Sequence, residues 1–191
     1  LLNLGDSRRL QTHELSFMER TDTYEGSPMS DLNAAAERVA ARLIARGETV
    51  AIAESSAGGL ISAALLAVPG ASKFYVGGAV VYTARARLTL MDIPQKAMDG
   101  LRSASEPYAV LLARVARKNL KATWGLSETG AAGPDGNRYG DAPGHCCMAA
   151  VGEETSVSAT LETGSADRAP NMQAFAVAAL ELLAQTLEAE A

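Results

Sequence analysis

The run Thr49-Val50-Ala51-Ile52-Ala53 leading into Glu54-Ser55-Ser56-Ala57-Gly58-Gly59 constrains this chain more than any other stretch. The apolar run reads as a short buried strand. The glycines turn it directly into a helix carrying Leu60, Ile61, Ala64 and Leu65. Upstream, Leu32, Ala36, Val39 and Leu43 fall on one helical face, with Ser30 or Asp31 as N-cap and Gly47 as the stop. Downstream, Pro69-Gly70 ends the second helix, and Phe74 to Tyr82 reads as a strand. Gly77-Gly78 interrupts that strand and marks either a bulge or a close backbone approach.

A short helix follows from Thr83 to about Leu90 and is broken at Ile93-Pro94. Ser105-Glu106-Pro107 starts another, running toward Leu120. Trp124 to Thr129 reads as a strand and Gly130 to Pro143 as a glycine-rich loop. His145 to Val151 and Ser156 to Leu161 read as a hairpin, and Pro170 to Glu188 as a closing helix. Early alternation of helix and strand with a late hairpin predicts an α/β sandwich on a mixed sheet. In such sheets ligands are expected at loops that follow strands, here Glu54–Gly59 and Gly130–Gly136.

Acidic residues exceed basic ones, for a net charge of −5, so the chain lacks the basic footprint of a nucleic-acid binder. No apolar run is long enough for a membrane helix, and no basic-then-apolar leader is present. Two neighbouring cysteines, Cys146 and Cys147, suit buried thiols in a reducing cytoplasm rather than a disulfide or zinc site, and alternation sends them to opposite faces of a strand. Residues 1–28 show no periodicity and read as a poorly ordered extension, with Met29 a candidate start and 29–191 the domain. His13 falls in that extension, so a Ser-His-Asp triad is not expected. No metal or cofactor motif is present, and neither is expected.

Three constellations carry chemistry. At Glu54–Gly59 a strand delivers two hydroxyls to a bend, and free amides at the helix start favour an anion or a developing oxyanion; an ordinary N-cap has the same residues. In Tyr82-Thr83-Ala84-Arg85-Ala86-Arg87, Arg87 stands one helical turn beyond Thr83, so both can line one rim and hold a phosphate or carboxylate; a solvated basic face has the same spacing. Thr129-Gly130-Ala131-Ala132-Gly133-Pro134-Asp135-Gly136 is a tight, backbone-exposing loop or simply a common turn. Asp167-Arg168 adds a polar pair, or a surface ion pair, ahead of the last helix.

In this order and spacing, these segments resemble the CinA C-terminal domain family, whose active members are nicotinamide mononucleotide deamidases. The family's Ala-Glu-Ser-Cys-Thr-Gly-Gly corresponds to Ala53–Gly59, and its Val-Pro-Gly turn to Val68-Pro69-Gly70. Its Tyr-Ser-Asn-x-x-Lys corresponds to Tyr82–Arg87, and its Ala-Val-Ser-Glu to Ser103-Ala104-Ser105-Glu106. Gly-Ile-Ala-Gly-Pro-x-Gly corresponds to Gly130–Gly136, Pro-Val-Gly-Thr-Val begins at Ala142-Pro143-Gly144, and the Asp-Arg pair is Asp167-Arg168.

The resemblance implies a three-layer α/β/α sandwich, often a homodimer, acting without a cofactor on a small nucleotide-like substrate. It implies Ser55 as nucleophile, with Tyr82 and Arg87 at the activating positions. Glu54, Ser56, Gly58, Gly59, Thr83, Ser105, Gly130, Gly133 and Arg168 would then bind substrate. The chain departs from the pattern at Ser56-Ala57, Ala84, Arg87 and Met172. A guanidinium stays protonated and cannot take the serine proton as a lysine can. A member lacking a base would bind a nucleotide or small phosphorylated ligand without hydrolysing it.

Overall fold

The computed structural model describes residues 28–190, with side chains from residue 30 onward. The expectations for residues 1–27, His13 included, lie outside the described residues. Helix α1 (Pro28–Arg46) starts slightly before the expected cap, because proline is tolerated in a first helical turn where its missing N–H has no partner to lose. Strand β1 (Val50–Glu54) is buried throughout and runs into α2 (Leu60–Ala67), whose N-cap Gly59 has φ 103°. A short 3₁₀ turn at Ala71–Lys73 precedes β2 (Tyr75–Val80). Helix α3 (Ala84–Met91), a second 3₁₀ turn (Gln95–Met98) and α4 (Glu106–Leu120) follow. The chain closes with β3 (Trp124–Ala131), the hairpin β4 (His145–Val151) and β5 (Ser156–Glu162), and α5 (Arg168–Ala189).

The five strands are ordered β2-β1-β3-β4-β5. β1 is parallel to β2 and β3, whereas β3–β4 and β4–β5 are antiparallel. This is the mixed sheet expected from the sequence. The three central strands are almost entirely buried, while the edge strands β2 and β5 are half-buried to exposed along their length. Helices α1, α2 and α5 cover one face around Ile52, Leu126, Phe175 and Leu183. Helix α4 covers the other around Ala53, Tyr108 and Leu112, making three layers. α4 lies against the sheet at Gly125, where a Cβ would stand 2.0 Å from the Ala113 carbonyl oxygen. Cys146 and Cys147 are free, buried and on opposite faces, as alternation requires.

Two boundaries differ from expectation. β3 extends through Gly130 and Ala131, which pair with Cys146 and His145, so the glycine-rich loop begins later than Gly130. β2 ends at Val80, which leaves Tyr82 in the following connection, 62% exposed. The register shifts between Val50 and Ala51, leaving Val76 unpaired ahead of the glycines. At Gly78 the close-approach reading holds, since a Cβ there would meet Ser62 Oγ and Tyr75 Oη at 2.8 Å.

Candidate functional site

The carboxyl ends of β1, β2 and β3 point the same way because these strands are parallel. The start of β4 and the end of β5 return to that edge, as the pairs Ala131–His145 and His145–Glu162 show. The Ser55 turn, Tyr82, the segment after Gly130 and the start of α5 therefore gather at one end of the sheet.

The turn is held from beneath by two buried carboxylates. Glu54, at the end of β1, accepts from Gly59 N at 2.8 Å and Ile61 N at 3.1 Å through Oε2. Its Oε1 accepts from Ser62 N at 2.8 Å and Ser62 Oγ at 2.6 Å. Glu128, on β3, accepts from Ser55 N at 3.1 Å and Ala57 N at 2.8 Å through Oε2, while Ser56 Oγ donates to its Oε1. Burial pushes the Glu128 carboxyl above the usual carboxylate range, against the lowering effect of those bonds. The Cys146 thiol, 3.7 Å from Glu128 Oε1, is pushed well up by burial and by that carboxylate.

These bonds correct one expectation. The amides at the α2 start do not await an outside anion, because the chain's own carboxylates take them. Gly58 N is also engaged, with Ser55 O at 3.2 Å. Glu54 and Ser56 accordingly turn their polar atoms inward. Ser55, between them in sequence, is half-buried.

The opposite wall is close. A Cβ on Gly130 would lie 2.4 Å from His145 O and 3.1 Å from Ser56 Oγ, so glycine is what lets β4 and the turn approach together. A Cβ on Gly58 would meet the Met172 methyl at 2.8 Å, which seats α5 on the turn at one of the departing positions. Arg168 does not form a simple surface pair. Its Nη1 donates to Gly133 O at 2.6 Å and its Nη2 to Tyr82 Oη at 3.3 Å. One guanidinium thus joins the β2–α3 connection to the segment after β3. Gly133 has φ 109°, and a Cβ would strike Ala166 O at 2.5 Å.

Three further residues have partners of their own. Thr83 caps α3, accepting from Ala86 N at 3.0 Å. Ser105 donates to Arg102 O at 2.7 Å and neighbours the Ala104 carbonyl held by His145 Nε2 at 3.0 Å. Arg87 lies on neither a rim nor a solvated face: it is 6% exposed. Its Nη2 donates to Gln95 Oε1 at 2.7 Å, it lowers the phenol of Tyr108 against the dominant rise from burial, and its Nε has no partner.

Sequence reasoning missed Glu128. The signal available was a charged residue inside an otherwise apolar and small-residue strand, which burial obliges to find donors. Among the described residues no group of His, Cys, Asp and Glu is arranged for a metal ion, and no helix is long and apolar enough to cross a membrane.

Comparison with known proteins agrees with this architecture. The family model described as "CinA C-terminal domain" matches residues 32–187. A CinA-like protein of Anaeromyxobacter sp. (strain K) is 38% identical over 140 residues, covering 73% of this chain and 34% of that protein. The CinA-like protein of Myxococcus xanthus is 38% identical over 144 residues, covering 74% and 34% respectively. The chain thus spans about a third of the length of these curated relatives. The crystal structure of a competence-damaged protein (CinA) superfamily member from Klebsiella pneumoniae superposes with a TM-score of 0.77 at 23% identity, covering 83% of this chain and 98% of that one. The competence/damage inducible protein CihA of Agrobacterium tumefaciens gives 0.76 at 25% identity, covering 88% and 99%. By its matched sequence the chain belongs to the CinA C-terminal domain family.

Proposed function

We propose that this chain is an amidohydrolase that converts the carboxamide of nicotinamide mononucleotide to the carboxylate, releasing ammonia, with Ser55 as the nucleophile. The observation that supports this reading best is the Arg168 bridge from Tyr82 Oη to Gly133 O, at the edge of the sheet that carries the Ser55 turn. It joins a phenol to a backbone-exposing segment at the same end of the sheet as the Ser55 hydroxyl, the kinds of group acyl transfer uses.

In this reading Ser55 Oγ attacks the carboxamide carbon, the tetrahedral oxyanion is held by amides of the 132–136 segment that follows β3, and ammonia leaves with the proton taken from Ser55. Water then cleaves the acyl-serine and regenerates the hydroxyl. The segment after β3 supplies the oxyanion donors because those of the α2 start are already engaged by Glu54 and Glu128. Arg87 cannot accept the serine proton. Tyr82 relays it in this scheme, so turnover is slow relative to a member with an amine at position 87.

The test is ammonia release from nicotinamide mononucleotide by the wild-type chain and by Ser55→Ala. The expected result is release that falls at least about 10³-fold in the variant. Release that is absent from the wild type, or equal in the two proteins, overturns the reading. Thermal stabilisation by the nucleotide without release would identify a binding protein instead.

A further inference from the structure

We infer that Glu128 is the positioning residue of the nucleophile turn, acting through hydrogen-bond geometry and not through its charge. The inference rests on the reading of Ser55 as the reactive hydroxyl. Its structural half can be tested without that reading.

The carboxylate lies on β3, 73 residues along the chain from the serine whose amide it holds, and its side chain is fully buried. It receives three donors from three consecutive residues: Ser55 N, Ser56 Oγ and Ala57 N. Three anchors on one rigid strand fix the φ and ψ angles on both sides of Ser55, and so fix the direction in which its Cβ leaves the backbone. Hydrogen bonds to a carboxylate are about twice as strong as neutral ones, so this clamp is stiff. Glu54 fixes the other side of the turn, so Ser55 sits between two immobilised segments. The groups facing Glu128 are Glu54 from β1, the Ser56 hydroxyl and the Cys146 thiol from β4. None of them is a cation, so no ion pair accounts for a buried carboxylate at this place. Its donors do.

Two substitutions separate geometry from charge. Glu128→Gln keeps the length and one carbonyl oxygen for the two amides, and its NH₂ can donate to Ser56 Oγ. Glu128→Asp keeps the charge but is one methylene too short to reach all three donors. The readouts are the rate at which Ser55 is phosphonylated by a fluorophosphonate, which reports nucleophile reactivity whatever the natural substrate, and the amide hydrogen exchange of Ser55 and Ala57. The expected order is wild type, then Glu128→Gln within about tenfold in labelling, then Glu128→Asp lower still. Exchange at the two amides should rise about tenfold or more in the Asp variant, while amides of Leu126 and Ala150 stay protected.

The reverse order, with Asp active and Gln inactive, would make the residue a general base and overturn the inference. Unchanged exchange at Ser55 and Ala57 in both variants would also overturn it. If the wild type is not labelled at Ser55, the amidohydrolase reading fails, and amide exchange alone still decides the positioning claim. If the Asp variant fails to fold, a Gln variant with wild-type exchange at both amides supports the geometric role, and one that exposes them overturns it.

Discussion

The Ser55 turn and the Arg87 pocket lie on neighbouring connections of the same sheet and treat buried charge in opposite ways. In the turn, two carboxylates are out of water, and each answers a set of amide and hydroxyl donors. In the pocket, a guanidinium is out of water with one neutral acceptor, a nearby phenol and an Nε that bonds to nothing. A buried polar group without a partner costs about 1–3 kcal/mol, whereas a satisfied one is close to neutral. The turn is therefore pre-organised while the pocket is strained in its polarity. The strained position is also where the sequence departs from the lysine expected by resemblance. The turn that carries Ser55 is held at every anchor, and position 87, beyond the next strand, carries an arginine where the resemblance implies a lysine.

That contrast can be broken first from the pocket side. Arg87→Lys supplies a group able to lose its proton, and ammonia release from nicotinamide mononucleotide should rise by about 10²-fold, the low end of what a general base contributes. No gain would mean that position 87 is not where the proton is taken. From the turn side, Gly130→Ala drives a methyl toward His145 O and Ser56 Oγ. It should slow fluorophosphonate labelling by about 10²-fold, as a small misplacement of a reacting group does. It should also lower stability in denaturant titration by about 2–3 kcal/mol through overpacking.

Smaller effects sharpen the comparison. Burial raises the Glu128 carboxyl in the folded chain, so the folded state holds that proton to higher pH than the unfolded one does. Its stability contribution is complete below the ordinary value of 4.5 and is lost as pH rises through the folded value. Glu128→Gln should therefore melt higher than wild type near neutral pH, with the gap closing in acid. A stabilised variant with a slower serine would show that the charge is held there at a cost to the fold.

The smallest effect belongs to His145. Burial opposes its charge, but Glu162, the Ala104 carbonyl and Asp141 together raise it above 6.5. Its contribution is present below 6.5 and fades as pH rises through the folded value. His145→Gln should remove this part of the pH dependence of melting, worth no more than about 1 kcal/mol because the Glu162 carboxylate is largely in solvent.

Much of the fold could be read in the sequence because its signals are local. The apolar run at Thr49–Ala53, the glycines at the turn and the proline after Ser105-Glu106 each report their own backbone. Ser55 fell in the turn those glycines mark, whereas Tyr82, expected to end its strand, lies beyond it. A charge within a strand of apolar and small residues marks Glu128, but not the segment whose donors it takes. Only the pairing of Ala53 with Ser127 sets it beneath a turn more than seventy residues earlier. Arg87 was misplaced for a related reason. Spacing from Thr83 gives the helical turn but not whether the far side of that helix is covered, and here it packs toward Gln95 and Tyr108.

Graded inactivation tests the central claim most directly. The chain is titrated with a fluorophosphonate, the modified peptide is mapped, and residual ammonia release from nicotinamide mononucleotide is measured at each step. A single adduct on Ser55, with release lost in proportion to labelling, is the predicted result. Release that survives complete modification of Ser55, or that disappears with an adduct on another residue, would contradict it.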